Sequence, residues 1–219
     1  MPRVRQIPSQ ADPNHSPCTP ASILPQIILS LLLGAGWLGG ACFSTPAPAS
    51  PTPECPSLLP GPPAERAIYI QKASRRLGYY QNGQLAHRDS HPACFPIGLG
   101  FSPTGPKRQE GDGKTPEGTY TLFQKNPDSD YHLSLGVSYP NPTDAQAGLE
   151  AGIIDATTQA KIVKNPRWPP QNTPMGGLIY IHGGGSSTDW TLGCIAVDND
   201  VIEYLFAEAT VNMPIVIVP

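Results

Sequence analysis

The stretch that decides how this chain reads is "IYIHGGGSSTDWTLGCIAVDNDVIEYLF", residues 179–206. A strand-like apolar run stops at His182, three glycines follow, and Cys194 stands twelve residues after the histidine. A free thiol is mostly protonated at neutral pH, whereas a neighbouring imidazolium lowers its pKa and holds the nucleophilic thiolate. Glycines on both sides let backbone amides approach a developing oxyanion closely. Here Gly183, Gly184 and Gly185 follow the histidine, and Gly193 precedes the cysteine. Asp189 and Trp190 lie between them, placed to orient a partner or to wall off water. By chemistry alone the competing reading is a buried structural thiol near a loop histidine.

The flanks extend the pattern. Ile195 to Val197 predicts a brief strand after the cysteine. Asp200, followed three residues later by Glu203, predicts a capping box. Val201, Ile202, Leu205, Phe206 and Ala209 then recur at helical spacing, so one face of that helix packs inward. "MPIVIVP" closes the chain as a buried strand. Upstream, Ile68 and Ile70 alternate with other residues, and Asn82-Gly83 is a two-residue hairpin signal. Residues 93–101 predict another strand, as do 118–123. The segment "DAQAGLEAGIIDATTQAKIVKN" holds one or two short helices. The sum is a mainly β domain over 66–219, mostly antiparallel, sandwich-like or a small barrel, with a few short helices.

Residues 1–65 differ in kind. Runs such as "STPAPASPTPECPSLLPGPP" favour extended, solvated backbone and bury too little to repay ordering, so 42–65 reads as a linker. Before it, Arg3 and Arg5 precede the apolar run "IILSLLLGAGWLGGA" at residues 27–41. That run is short for a membrane span and fits the core of an export signal, so 1–41 reads as a signal peptide or membrane anchor. Cys42 directly follows "LGGA", with Gly39 and Ala41 at positions a signal peptidase prefers. Lipidation of Cys42, a cleaved soluble form and an uncleaved anchor all remain open, with membrane attachment through Cys42 or the apolar run. Either way the domain is expected in the periplasm or cell envelope. With Cys18 and Cys42 in that region, Cys55 and Cys94 are left as the candidate disulfide and Cys194 as the odd thiol. A net charge of −3 gives no basic footprint for nucleic acid.

"IHGGGSSTDWTLGCIAVDN" resembles the signature of the L,D-transpeptidase (YkuD-type) catalytic domain, in its subgroup with a DWTxGCIA form. "GPKRQEGDGKTPEGTY", residues 105–120, is similar to that family's second landmark, a GD…KTPEG segment leading into a strand. The resemblance covers roughly residues 67–219. It implies a β-rich fold in which Cys194 is the nucleophile, His182 its base, and the backbone carbonyl of Gly183 the group that orients the imidazole. The amides of Gly193 and Cys194 are candidates for the oxyanion hole. The implied substrate is a peptidoglycan stem peptide, attacked at the L-configured centre of a diamino acid. D-Alanine leaves, and an amine or water resolves the thioester. Many members carry serine-histidine where this chain has Thr191-Leu192, and arginine where it has Ala196, which leaves transfer and hydrolysis both open. A non-catalytic wall-binding lipoprotein, with Cys194 merely packed, is a further alternative.

Other clusters read as structural. His87, His91 and Cys94 have metal-like spacing without a fourth ligand. "GDGKTPEG" lacks Walker spacing and a following helix, so it reads as a turn near the site. Asp128 and Asp130 read as a solvated turn. No metal or cofactor is called for.

Overall fold

The computed structural model describes Cys55 and residues 64–219. The segment expected to be a signal peptide or anchor, Cys42, and most of the expected proline-rich linker lie outside the described residues. The domain opens with β1 (Arg66–Gln71), β2 (Arg76–Gln81) and β3 (Gln84–Leu85). Asn82 and Gly83 both take positive φ, 51° and 76°, the left-handed pair that closes a two-residue hairpin between β2 and β3. β1 is buried on both faces: Ile68 and Ile70 enter the main core, while Ala67 and Tyr69 pack with Tyr80 beneath the other face.

A two-stranded ribbon follows, β4 (His87–Arg88) with β5 (His91–Pro92). His87 and His91 are exposed on it. β6 (Cys94–Pro96) pairs with β2, and Cys94 is joined to Cys55 by a disulfide. The strand expected over 93–101 therefore splits. Its first part belongs to β2, and its continuation bridges Gly98 to Ala196 and Gly100 to Thr191 instead. The reason is steric as well as topological. A Cβ on Gly100 would stand 2.1 Å from the Gly113 carbonyl oxygen, so only glycine lets these two backbones touch.

β7 (Gly118–Ser129) runs six residues past the expected strand. Its first part pairs with β11 (Pro214–Val218) and its later part with β8 (His132–Val137), with register shifts between Leu122 and Gln124 and between Asn126 and Ser129. Bulges of this kind bend a strand and raise its twist, so β7 hands one sheet on to the next. The remaining strands are β9 (Tyr180–His182) and β10 (Ile195–Ala196). Strand order is β10-β9-β8-β7-β11-β1-β2-β3 with β6 also on β2. Because the chain after β6 bridges back to β10, the strands form a nearly closed ring. Pairing is antiparallel except for β1 with β11 and β9 with β10.

Three helices accompany the sheet among the described residues. α1 (Pro142–Glu150) and α2 (Ala156–Lys164) share a small core of Ala145, Ile154, Ile162 and Met175. α3 (Asn199–Glu208) buries Val201, Ile202 and Leu205 in the main core. Its Tyr204 packs edge-on against Tyr79 of β2, and its Glu203 pairs with His132 of β8, so it spans the ring. The capping box expected from Asp200 and Glu203 does not form. α3 begins two residues earlier, with Asp198 as N-cap, and Asp200 instead pairs with Arg88.

Candidate active site

The parallel pairing of β9 with β10 sets the geometry. Ile181 pairs with Ile195 and His182 with Ala196, so Cys194, one residue before β10, is brought beside the end of β9. The Tyr180 backbone N–H donates to its sulfur, and the thiol donates to the Leu178 carbonyl at 3.5 Å. Leu178 itself holds a left-handed φ of 54°, braced by Gln171, whose Oε1 accepts its N–H at 2.8 Å.

His182 is buried. Its Nδ1 lies 2.7 Å from the Gly183 carbonyl oxygen. A carbonyl can only accept, so Nδ1 carries the proton and Nε2 presents its lone pair. The glycine loop that supplies this carbonyl is tied down residue by residue. Gly183 N–H donates to Leu133 O, Gly185 N–H to Val197 O, and Gly184 N–H to Asn199 Oδ1. Ser186 donates to Asp198 Oδ1 from both its N–H and its hydroxyl. Asp198 and Asn199 at the start of α3 thus hold the histidine loop, which is why the Asp198 side chain accepts no N–H of its own helix. Tyr131 stacks on the imidazole at 4.6 Å between centroids, and Trp190 meets it edge-on at 5.5 Å.

The cysteine loop is held equally firmly. Thr191 Oγ1 accepts the Gly193 N–H at 3.1 Å and donates to the Cys194 carbonyl at 2.8 Å. Thr115, from the KTPEG segment, accepts the Gly100 N–H and donates to the same carbonyl. Gly193 has φ of 134°, and a Cβ there would lie 2.6 Å from Lys114 O. The Gly193 amide is therefore committed within the loop rather than offered to a ligand. The buried Lys72 pins the KTPEG segment, donating to Gly105 O, Thr115 O and Glu117 Oε1. Burial pushes the Lys72 pKa down, and the Glu117 carboxylate opposes that.

Asp189 stands apart from the histidine. It forms a bidentate pair with Arg75, as close as 2.7 Å, and accepts the Leu99 N–H. The backbone it fixes is the bridge that closes the ring. Ala196 is fully buried, paired with His182 on one side and bridged to Gly98 on the other.

Two cavities meet at the thiol. The larger, about 520 Å³, runs past Lys107, Glu110, Leu178, Trp190 and the exposed Leu192. The smaller, about 360 Å³, opens toward the β7–β8 turn. His182 and Cys194 line both. Burial pushes the Cys194 thiol up, against the Tyr180 N–H and the Lys107 charge, which favour the thiolate. Burial likewise holds His182 below the usual histidine value, opposed by its bond to Gly183. Both directions favour a neutral thiol beside a neutral imidazole.

The residues singled out by sequence, Cys194, His182, Gly183, Gly193 and Trp190, are thus brought together, while Asp189 acts one layer away. Tyr131, Leu178, Gln171, Thr115 and Lys107 were not singled out. They arrive through turns and long-range packing, and only the KTPEG landmark pointed toward two of them.

Comparison with known proteins identifies the family. The profile of the family described as the L,D-transpeptidase catalytic domain (YkuD) matches residues 65–217. The chain is 30% identical over 197 residues to YafK of Escherichia coli, provisionally described as an L,D-transpeptidase. That alignment covers 87% of this chain and 63% of YafK, so the chain spans less than two thirds of that relative. Among solved structures, Bd1075 of Bdellovibrio bacteriovorus is similar at 23% identity and a TM-score of 0.45, covering 71% of this chain and 48% of that one. An L,D-transpeptidase from Mycobacterium smegmatis is similar at 14% identity and a TM-score of 0.42, covering 71% and 59%. With the family profile matched over nearly the whole described domain, the chain belongs to the L,D-transpeptidase catalytic domain family.

Proposed function

We propose that the protein is an exported enzyme that forms a thioester between Cys194 and a peptidoglycan stem peptide. The observation that carries this reading is a tautomer-fixed His182 beside Cys194 where two cavities meet. Cys194 is the nucleophile, His182 the base, and Gly183 the group that orients it. As Sγ attacks the carbonyl of the L-centre, the thiol proton passes to Nε2 and then to the departing D-alanine amine. The C–N bond breaks and a thioester remains. An incoming amine or water then attacks the thioester, the C–S bond breaks, and the proton returns to sulfur through His182. The Cys194 N–H is the remaining backbone candidate for the oxyanion. Trp190 and Tyr131 shield the imidazole from water.

The family membership and the similarity to YafK support the peptidoglycan assignment. The DWTxGCIA form supports a place in that subgroup, and the apolar run with Cys42 supports export and membrane attachment. Among the described residues no helix is long and apolar enough to cross a membrane. A hydrolase of the same nucleophile is the second reading, favoured by Leu192 standing exposed at the cavity mouth. Purified protein incubated with sacculi, followed by digestion and mass analysis, separates the two. Transfer produces new cross-links and hydrolysis trims stems. A product profile identical to that of Cys194→Ala would overturn both.

A further inference from the structure

The face that α2 turns to solvent plays no part in the site. Thr157, Ala160, Lys161 and Lys164 recur at helical spacing and, with Ala156, line one surface groove. Val163, three residues from Ala160, is 45% exposed, and Ile162 alone of this helix is buried. The chain continues through Arg167 and Trp168, both exposed. The Trp168 N–H donates to Asn165 O, and its ring stands edge-on against Phe123 at 4.9 Å between centroids. Pro166 precedes this pair, and Pro169 and Pro170 follow it, which restricts the backbone on either side. The indole is thus held in place with 59% of Trp168 still open to solvent.

The charge of this segment is one-sided. Lys161, Lys164 and Arg167 have no ion-pair partner among the described residues. No Asp or Glu occurs between Asp155 and Asp189, although the net charge of the chain is −3. Asp155 caps the opposite end of α2, its carboxylate accepting the Thr158 N–H. A partner that is anionic at its surface and apolar beneath satisfies the whole segment: phosphates take the cations, and an indole settles at the boundary between headgroups and acyl chains. We propose that α2 and the turn through Trp168 dock on an anionic phospholipid surface. A polymer of stem peptides is anionic as well, but it offers no apolar layer to Trp168 and Val163. The inference goes beyond the attachment proposed through Cys42 or the apolar run, since the face binds with or without either. Where one of them is present, docking supplies a second signal: a single lipid chain holds a protein only marginally, and a basic patch makes the attachment stable.

The test compares the full chain on vesicles of phosphatidylcholine and on vesicles that also contain phosphatidylglycerol, with bromine on the acyl chains to quench nearby indoles. Flotation with the neutral vesicles reads attachment through Cys42 or the apolar run. The additional quenching on anionic vesicles reads docking, and Trp168→Phe gives the share that belongs to Trp168. Wild type should show Trp168 quenching on anionic vesicles and little on neutral ones. Lys161→Gln/Lys164→Gln/Arg167→Gln should weaken docking about 10²-fold, the effect of three basic residues at such a surface, and high salt should do the same to wild type. All three positions are exposed and unpaired, so an unchanged denaturation midpoint and unchanged turnover of a soluble stem peptide show that the triple variant is folded. Trp168 quenching that is equal on the two lipids, or unchanged in the triple variant, overturns the docking face. A triple variant that loses affinity for isolated sacculi while its quenching stays at the wild-type level assigns the cations to the polymer and overturns it too. Wild type that stays off neutral vesicles yet is quenched on anionic ones refutes the attachment and leaves the docking face standing.

Discussion

At Cys194 and His182 the charge state follows from burial. Burial favours the neutral form of each group, so in the proposed reaction the thiolate arises during attack. The sequence alone suggested the opposite, an imidazolium that holds a thiolate, because spacing identifies partners but carries no information about how much water reaches them. His182 should therefore charge only below the ordinary value of about 6.5, and the thiol should ionise above about 8.5. Alkylation of Cys194 by iodoacetamide, followed across pH by intact mass, should show a midpoint above that thiol value. His182→Ala should leave that midpoint high yet slow acylation by a stem peptide about 10²–10⁴-fold. A wild-type midpoint below pH 7 would instead establish the ion pair. The depressed histidine also has a stability consequence. Stability from keeping it neutral is present above its unfolded pKa and falls as the pH drops below that value. Tyr131 was illegible in the sequence, since a turn places it on the imidazole.

At the scale of elements, the KTPEG segment was readable as a landmark and its purpose was not. Thr115 reaches the Cys194 carbonyl across 79 residues of chain, and the same hydroxyl accepts the Gly100 N–H. It joins the segment that closes the strand ring to the loop that carries Cys194. Thr115→Val keeps the shape and removes both bonds. It should cost about 1–3 kcal/mol, because a buried N–H is left unpaired, read as a lower midpoint in chemical denaturation. Turnover should fall more than the lost stability explains. Unchanged turnover would mean that Thr191 alone holds the cysteine loop. The hairpin at Asn82-Gly83 and the short helices α1 and α2 were legible, because local turn chemistry and helical spacing decide them. The division of residues 93–101 between two partners was not, since an apolar run says nothing about which strand it will meet.

Across the whole molecule, a mainly β domain could be read from alternating runs and turn signals, while its near-closure through Gly98 could not. The Cys55–Cys94 disulfide ties Cys55 to β6 at a sequence separation of 39. A loop of that length is worth up to about 4 kcal/mol in chain entropy. Cys55→Ser should lower the thermal midpoint, and a reducing agent should then have no further effect. An unchanged midpoint would mean that the tether is not coupled to folding of the domain. All of this architecture converges on one sulfur atom, and the central claim is that this atom carries the acyl group. The most direct measurement is intact mass of the purified protein after brief incubation with a disaccharide-tetrapeptide, with the adduct located by peptide mapping. The expected result is a mass increase equal to the donor stem less D-alanine, borne on Cys194 and missing in Cys194→Ala. An adduct on any other residue, or product formed by Cys194→Ala at the wild-type rate, would contradict it.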